Sequence, residues 1–94
     1  MNEMILEKGN WSVNLEDGYG PEDKEELVRE SVLAISRTKL GHFVNVVTPG
    51  SCGDPADWLI PQLEIQLAEQ NLAFDRMVYI DQCGCGGYVT RVYR

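Results

Sequence analysis

Two thiols separated by a single glycine, in the run Cys83-Gly84-Cys85-Gly86-Gly87, are the residues of this chain whose types and spacing best suit chemistry. A thiolate is a nucleophile and a soft metal ligand. Glycine admits positive φ and lets other groups approach the backbone, so glycine-spaced thiols can be presented outward at little steric cost. A hairpin connection needs a glycine or two but no cysteine, and exposed free thiols are a liability unless used. The plainer alternative is that Cys83 and Cys85 alternate as small hydrophobes at a strand end, since unpaired cysteine is readily buried.

Cys52 is the third cysteine. Cys52, Cys83 and Cys85 could together offer three sulfurs to a transition metal, but a closed structural zinc site takes four ligands and an iron–sulfur cluster meets the same shortage. Asp54 or Asp81, an exogenous ligand or a second subunit would have to complete the set. Thiol–disulfide exchange fits less well, because its usual motif spaces two cysteines by two residues at the start of a helix. A small enzyme with Cys83 or Cys85 as nucleophile would need a depressed thiol pKa or a neighbouring base. His42, the only histidine, precedes a predicted strand at the edge opposite the cysteines, which makes it a structural residue. Trp11 and Trp58 read as core or rim packing. Gly84, Gly86 and Gly87 could form an anion-binding nest, a weak signal by itself. The sequence has no Gly-x-Gly-x-x-Gly fingerprint, phosphate loop or nucleophile elbow.

The elements that must position these residues are bounded by length and composition. Ninety-four residues, 44% hydrophobic and 24% charged, fill one core and not two. The expected organisation is a mobile N-terminal segment, residues 1–9, followed by a single α/β domain, residues 10–94. Net charge is −7, and the acids crowd the N-terminal third: residues 1–30 carry 9 acids against 3 bases, residues 31–94 carry 6 against 5. Such a balance repels phosphate backbones and anionic membranes, so neither nucleic acid nor membrane is an expected partner, although Arg91 and Arg94 leave a small basic spot. Glu3 and Glu7 stand where a secretory signal would carry basic residues, and no stretch approaches the roughly 18 apolar residues of a membrane span, so the expected location is cytoplasmic. Three cysteines in such a compartment argue against a disulfide framework.

Trp11-Ser12-Val13-Asn14-Leu15 alternates with the period of a half-buried strand and ends at the turn signal Asp17-Gly18. Pro21, a suitable first helical residue, precedes Glu22, Asp23, Glu25 and Glu26, acids placed where the helix dipole favours them. Leu27, Val28, Ser31, Val32, Ala34 and Ile35 form one stripe, and Gly41 offers a left-handed stop, so a helix is predicted from about Pro21 to Lys39. Phe43 to Thr48 is a β-branched run, read as a central parallel strand. The following loop ends at Asp54, a candidate N-cap with Asp57 three residues on. Leu59, Leu63 and Leu67 mark a second helix, in which Pro61 should offset a short first turn from a main segment running to Gln70. Met77 to Asp81 and Tyr88 to Tyr93 read as strands joined too closely for a crossover, hence an antiparallel hairpin. The fold class is therefore α/β, in the order β-α-β-α-β-β, with a four-stranded mixed sheet, two helices on one face or two, and a C-terminal β-hairpin. Strands one to three would point their C-terminal ends to one rim, where open α/β sheets bind ligands, and all three cysteines follow strands that end there.

Over Asp81-Gln82-Cys83-Gly84-Cys85-Gly86-Gly87-Tyr88-Val89-Thr90-Arg91-Val92 the chain resembles the CGCGG family, small proteins described as ribosomal peptide products modified by a partner radical SAM enzyme. Gly41 to Thr48 resembles the same family, which extends the likeness over the second half of the chain. The resemblance implies modification at or beside Cys83 and Cys85, where thiols and glycine α-carbons suit hydrogen abstraction and thioether formation. The reading that results is a non-enzymatic α/β domain whose hairpin run, Cys83 to Gly87, is acted on by a radical SAM partner. The alternative is a metal-binding or metal-carrier protein using Cys52, Cys83 and Cys85.

Overall fold

Alternation decides the sheet. In Phe43–Thr48 the side chains of Val44, Val46 and Thr48 are buried while Phe43, Asn45 and Val47 are only half-buried. In Tyr88–Tyr93 the same period buries Thr90 and Val92. One face of each strand thus meets a hydrophobic layer and the other does not. The computed structural model describes residues 8–16, 18–82 and 87–94. Among them the strands are β1 (Trp11–Asn14), β2 (Phe43–Thr48), β3 (Arg76–Gln82) and β4 (Tyr88–Tyr93), and the α-helices are α1 (Lys24–Ser36) and α2 (Leu59–Glu69). The class is α/β, with two helices and a mixed four-stranded sheet, as the sequence pattern predicts.

The strand order is β1-β2-β4-β3. β1 pairs parallel to β2, and β4 runs antiparallel to both β2 and β3. β4 is therefore inserted between two strands that share a direction, and β2 is parallel on one side only. Both helices pack on one sheet face: Leu27, Val32, Ala34 and Ile35 from α1 and Leu59, Leu63 and Leu67 from α2 form a single cluster with Val44, Val46 and Val92. The acidic residues of α1 lie on the outer side of this layer, where Glu26 and Arg29 make an exposed i,i+3 pair that adds little stability.

The helix ends differ from the pattern-based expectation, each for a local reason. Pro21–Asp23 forms a 3₁₀ turn ahead of α1, held by reciprocal bonds: the Gly20 amide donates to Asp23 Oδ2 and the Asp23 amide to the Gly20 carbonyl, both at 2.9 Å. α1 stops at Ser36, not Lys39. The Thr38 hydroxyl donates to the Ala34 carbonyl at 2.9 Å and accepts from Trp11 Nε1 at 2.9 Å, and the Lys39 amide donates to Lys8 instead of continuing the helix. Gly41 adopts its left-handed conformation, φ 85°, in the turn into β2, beyond the helix end. Arg94 closes the same corner, donating from Nη1 to the carbonyls of Thr38 (3.0 Å) and Ile35 (3.4 Å) and from Nε to Ala73 (2.9 Å). A guanidinium at exposed C-terminal helix carbonyls is favourable by charge and by hydrogen bonding.

α2 begins at Leu59, so Pro61 sits inside it. As the third residue it falls in the first turn, where the missing amide would have had no intrahelical acceptor, and the predicted offset does not arise. Asp54 is not the N-cap. Its Oδ1 accepts the Ala56 amide at 2.9 Å in a turn ahead of the helix, Asp57 donates its amide to the Asp54 carbonyl, and the cap position belongs to Trp58 without a side-chain bond. Of the expected N-terminal segment, residues 1–7 lie outside the described residues. Lys8 forms an isolated parallel bridge with Thr38.

Candidate functional site at the carboxyl rim of the sheet

Because β1, β2 and β3 share a direction, their C-terminal ends meet at one rim, and β4 starts there. The last register pairs, Thr48 with Tyr88 and Gln82 with Tyr88, put the ends of β2 and β3 on either side of the start of β4. The run 83–87 connects the final Gln82–Tyr88 pair. Cys83, Gly84, Cys85 and Gly86 lie outside the described residues, as do the side chains of Asp81 and Gln82. Gly87 is described and is buried.

Three residues before the run, β3 departs from regular pairing. Tyr79 faces Thr90 and Asp81 faces Val89, which leaves Ile80 as an extra residue, 42% exposed. A bulge of this kind bends and twists its strand, a frequent feature next to functional sites and on edge strands. Tyr79 and Tyr88 sit together on the helix side of this hairpin, ring centroids 5.8 Å apart.

Gly87 occupies a space with no room for a side chain. A β-carbon built on it would overlap Glu16 Oε2 and stand 2.8 Å from Glu16 Cδ and 2.8 Å from the Thr48 carbonyl oxygen. Glu16 follows β1, and its amide donates to Asn14 Oδ1 at 2.8 Å. The sequence reading did not single out Glu16. The signal was available, since a residue just past the first parallel strand must reach the same rim as the loops after strands two and three.

Cys52 reaches the rim by chain order, but its sulfur is turned inward. It ends the 3₁₀ turn Gly50–Cys52 that follows β2, is 4% exposed, belongs to the core cluster, and donates from Sγ to the Gly20 carbonyl at 3.5 Å. Burial pushes its pKa above the ordinary 9.0; Lys24 opposes this and Asp23 and Glu22 reinforce it. Among the described residues no three His, Cys, Asp or Glu side chains gather as a metal-holding group.

A neutral, enclosed thiol is a poor nucleophile. Alkylation of Cys52 by iodoacetamide at neutral pH is expected to be slow in the folded protein and rapid once urea unfolds it; equal rates would contradict the buried placement. The same shift fixes a pH dependence. The unfolded chain loses this proton near its ordinary pKa while the folded one retains it. The contribution of Cys52 to stability is therefore whole below about pH 9 and is lost as pH rises through the higher folded value.

The other residues marked in the sequence lie elsewhere. His42 precedes β2 at the end of the sheet opposite the rim, with Nδ1 3.2 Å from Asn10 Oδ1. Trp11 bonds Thr38, and Trp58 donates from Nε1 to the Gly53 carbonyl at 3.2 Å, with the Lys24 ammonium 5.4 Å from its ring centroid. Arg91 lies on the sheet face without helices, 3.9 Å from the Phe43 ring centroid, and donates from Nε to Asn45 Oδ1 at 2.8 Å. Its bond to the Tyr93 hydroxyl, helped by Arg76, lowers the pKa of that phenol. A groove of about 880 Å³ between α1 and α2 is lined by Val28, Val32, Trp58, Pro61 and polar neighbours.

The architecture and rim define a two-layer α/β protein that joins two adjacent antiparallel strands through a cysteine–glycine run. The chain belongs to the family described as "Putative radical SAM target protein", whose model matches residues 3–94. The radical SAM association implied by residues 81–92 is thereby shown at the level of the family. No curated protein and no solved structure matches the chain. Among the described residues, no helix is long and apolar enough to cross a membrane.

Proposed function

We propose that this protein is the substrate, and not the catalyst, of a radical SAM enzyme, and that the modified residues lie in the run Cys83-Gly84-Cys85-Gly86-Gly87. The observation that carries the reading is the coincidence of family membership over residues 3–94 with a thiol-bearing run tied between the register partners Gln82 and Tyr88. The paired strands on either side fix the two ends of the run, so an enzyme could take hold of the hairpin without unfolding the domain. The inward thiol of Cys52 supports leaving it out of the reactive set.

The chemistry that suits these residues is a bond between a cysteine sulfur and a glycine α-carbon. Forming it breaks one S–H and one Cα–H bond. The α-hydrogen atom passes to the radical derived from the enzyme's S-adenosylmethionine, the thiol proton leaves to solvent, and the remaining electron goes to an iron–sulfur cluster of the enzyme. The product is lighter than the translated chain by two hydrogen atoms per bond.

Intact mass of the protein isolated from its native host tests this. A mass differing from the translated sequence, with the change mapped by fragmentation to residues 83–87, is the expected result. An unmodified product under conditions where the enzyme is present and active would end the proposal.

A further inference from the structure

The run contains three glycines, of which Gly87 is the one among the described residues. Gly87 is buried. The direction in which an L-residue would place its β-carbon is closed by the Glu16 carboxylate and by the Thr48 carbonyl oxygen. That direction is also the line of one of its two α-hydrogens. The two obstacles differ in stiffness. Glu16 meets the site with the end of a side chain, whereas the Thr48 carbonyl is backbone at the end of β2, held by the register pairing of Thr48 with Tyr88. Abstraction of that α-hydrogen would require an enzyme radical to approach through main-chain atoms of the neighbouring strand, and the burial of the residue as a whole limits access from the other side.

Resting on the proposal above, we infer that Gly87 is the anchor of the run and not a reacting residue. Thr48 and Glu16 are positioning residues: they hold the C-terminal end of the run against the sheet and confine hydrogen abstraction to residues 83–86. Gly87 is glycine because two strand ends close on it, and Gly84 and Gly86 are left as the glycines that offer α-hydrogens. The arrangement sets the regiochemistry of the modification from the substrate's own fold.

Two measurements test this. The first reads the site of reaction: protein is produced in its native host with glycine carrying deuterium at both α-positions, and the isotope content of each glycine is read by fragmentation. Deuterium lost from Gly84 or Gly86 with both atoms retained at Gly87 is expected; loss at Gly87 overturns the inference. The second needs no modification: Gly87→Ala is expected to lower the urea midpoint, and most of that loss should persist in a Glu16→Ala background, because the backbone oxygen remains. A Gly87→Ala variant that unfolds at the wild-type midpoint overturns the anchor. If wild-type protein is never modified, the substrate reading falls, and the unfolding comparison alone decides whether Gly87 is an anchor.

Discussion

Protein carrying Cys83→Ser and Cys85→Ser together is expected to have the translated mass, with the modification lost completely. Serine keeps the size and the hydrogen-bonding pattern of the side chain, but its O–H is a far weaker nucleophile near neutral pH and is not a soft ligand for an enzyme's metal centre. A Cys52→Ser variant provides the contrast. Its sulfur lies in the core and donates to the Gly20 carbonyl, so the mass change should survive while stability falls, since a polar hydroxyl replaces a buried, weakly polar thiol. Each single substitution, Cys83→Ser or Cys85→Ser, then reports which sulfur is bonded. A mass change that persists in the double variant would remove both cysteines from the chemistry and with them the proposed function.

The second large effect concerns the layer that holds the rim in place. Leu63→Ala is expected to cost about 2–5 kcal/mol, a large fraction of the roughly 5–15 kcal/mol by which a domain is stable. Leu63 is fully buried between Leu59 and Leu67 on the inner stripe of α2, which joins the core formed by Val44, Val46 and Val92. Truncation leaves a cavity that neighbouring strands and helix cannot collapse without disturbing each other. Ile65, on the same helix but 50% exposed, should tolerate alanine within about 0.5 kcal/mol. Urea unfolding decides it: the Leu63→Ala midpoint should fall at an unchanged slope, and a midpoint equal to that of Ile65→Ala would contradict the packing described.

The binding of Arg94 to Ile35, Thr38 and Ala73 shows how the two ends of the fold differ in purpose. The corner where β4 finishes is closed by a guanidinium, a tryptophan and a threonine hydroxyl, all satisfied within the chain. The corner where β4 starts carries the cysteine–glycine run. By sequence alone Arg91 and Arg94 form a small basic spot. In the structure they are engaged with Asn45, Phe43 and helix carbonyls, because long cationic side chains near apolar rings and helix ends find partners that linear sequence does not display.

Element types, their order and the hairpin were legible from periodicity: alternation in Trp11–Asn14, Phe43–Thr48 and Tyr88–Tyr93, and leucines every fourth residue in α2, are local signals that the tertiary structure keeps. The radical SAM association came from the resemblance of residues 81–92 to a known family, and the family match over residues 3–94 bears it out. Helix ends were not, because they are settled by partners far along the chain: Lys8 and Trp11 stop α1, and a first-turn position makes Pro61 harmless. The insertion of β4 between β2 and β3, the inward turn of Cys52 and the closing of Glu16 and Thr48 on Gly87 belong to tertiary structure alone. Side-chain period records which face of an element is buried, but strand order and close approach depend on which distant segments share that burial, and no local pattern carries that information.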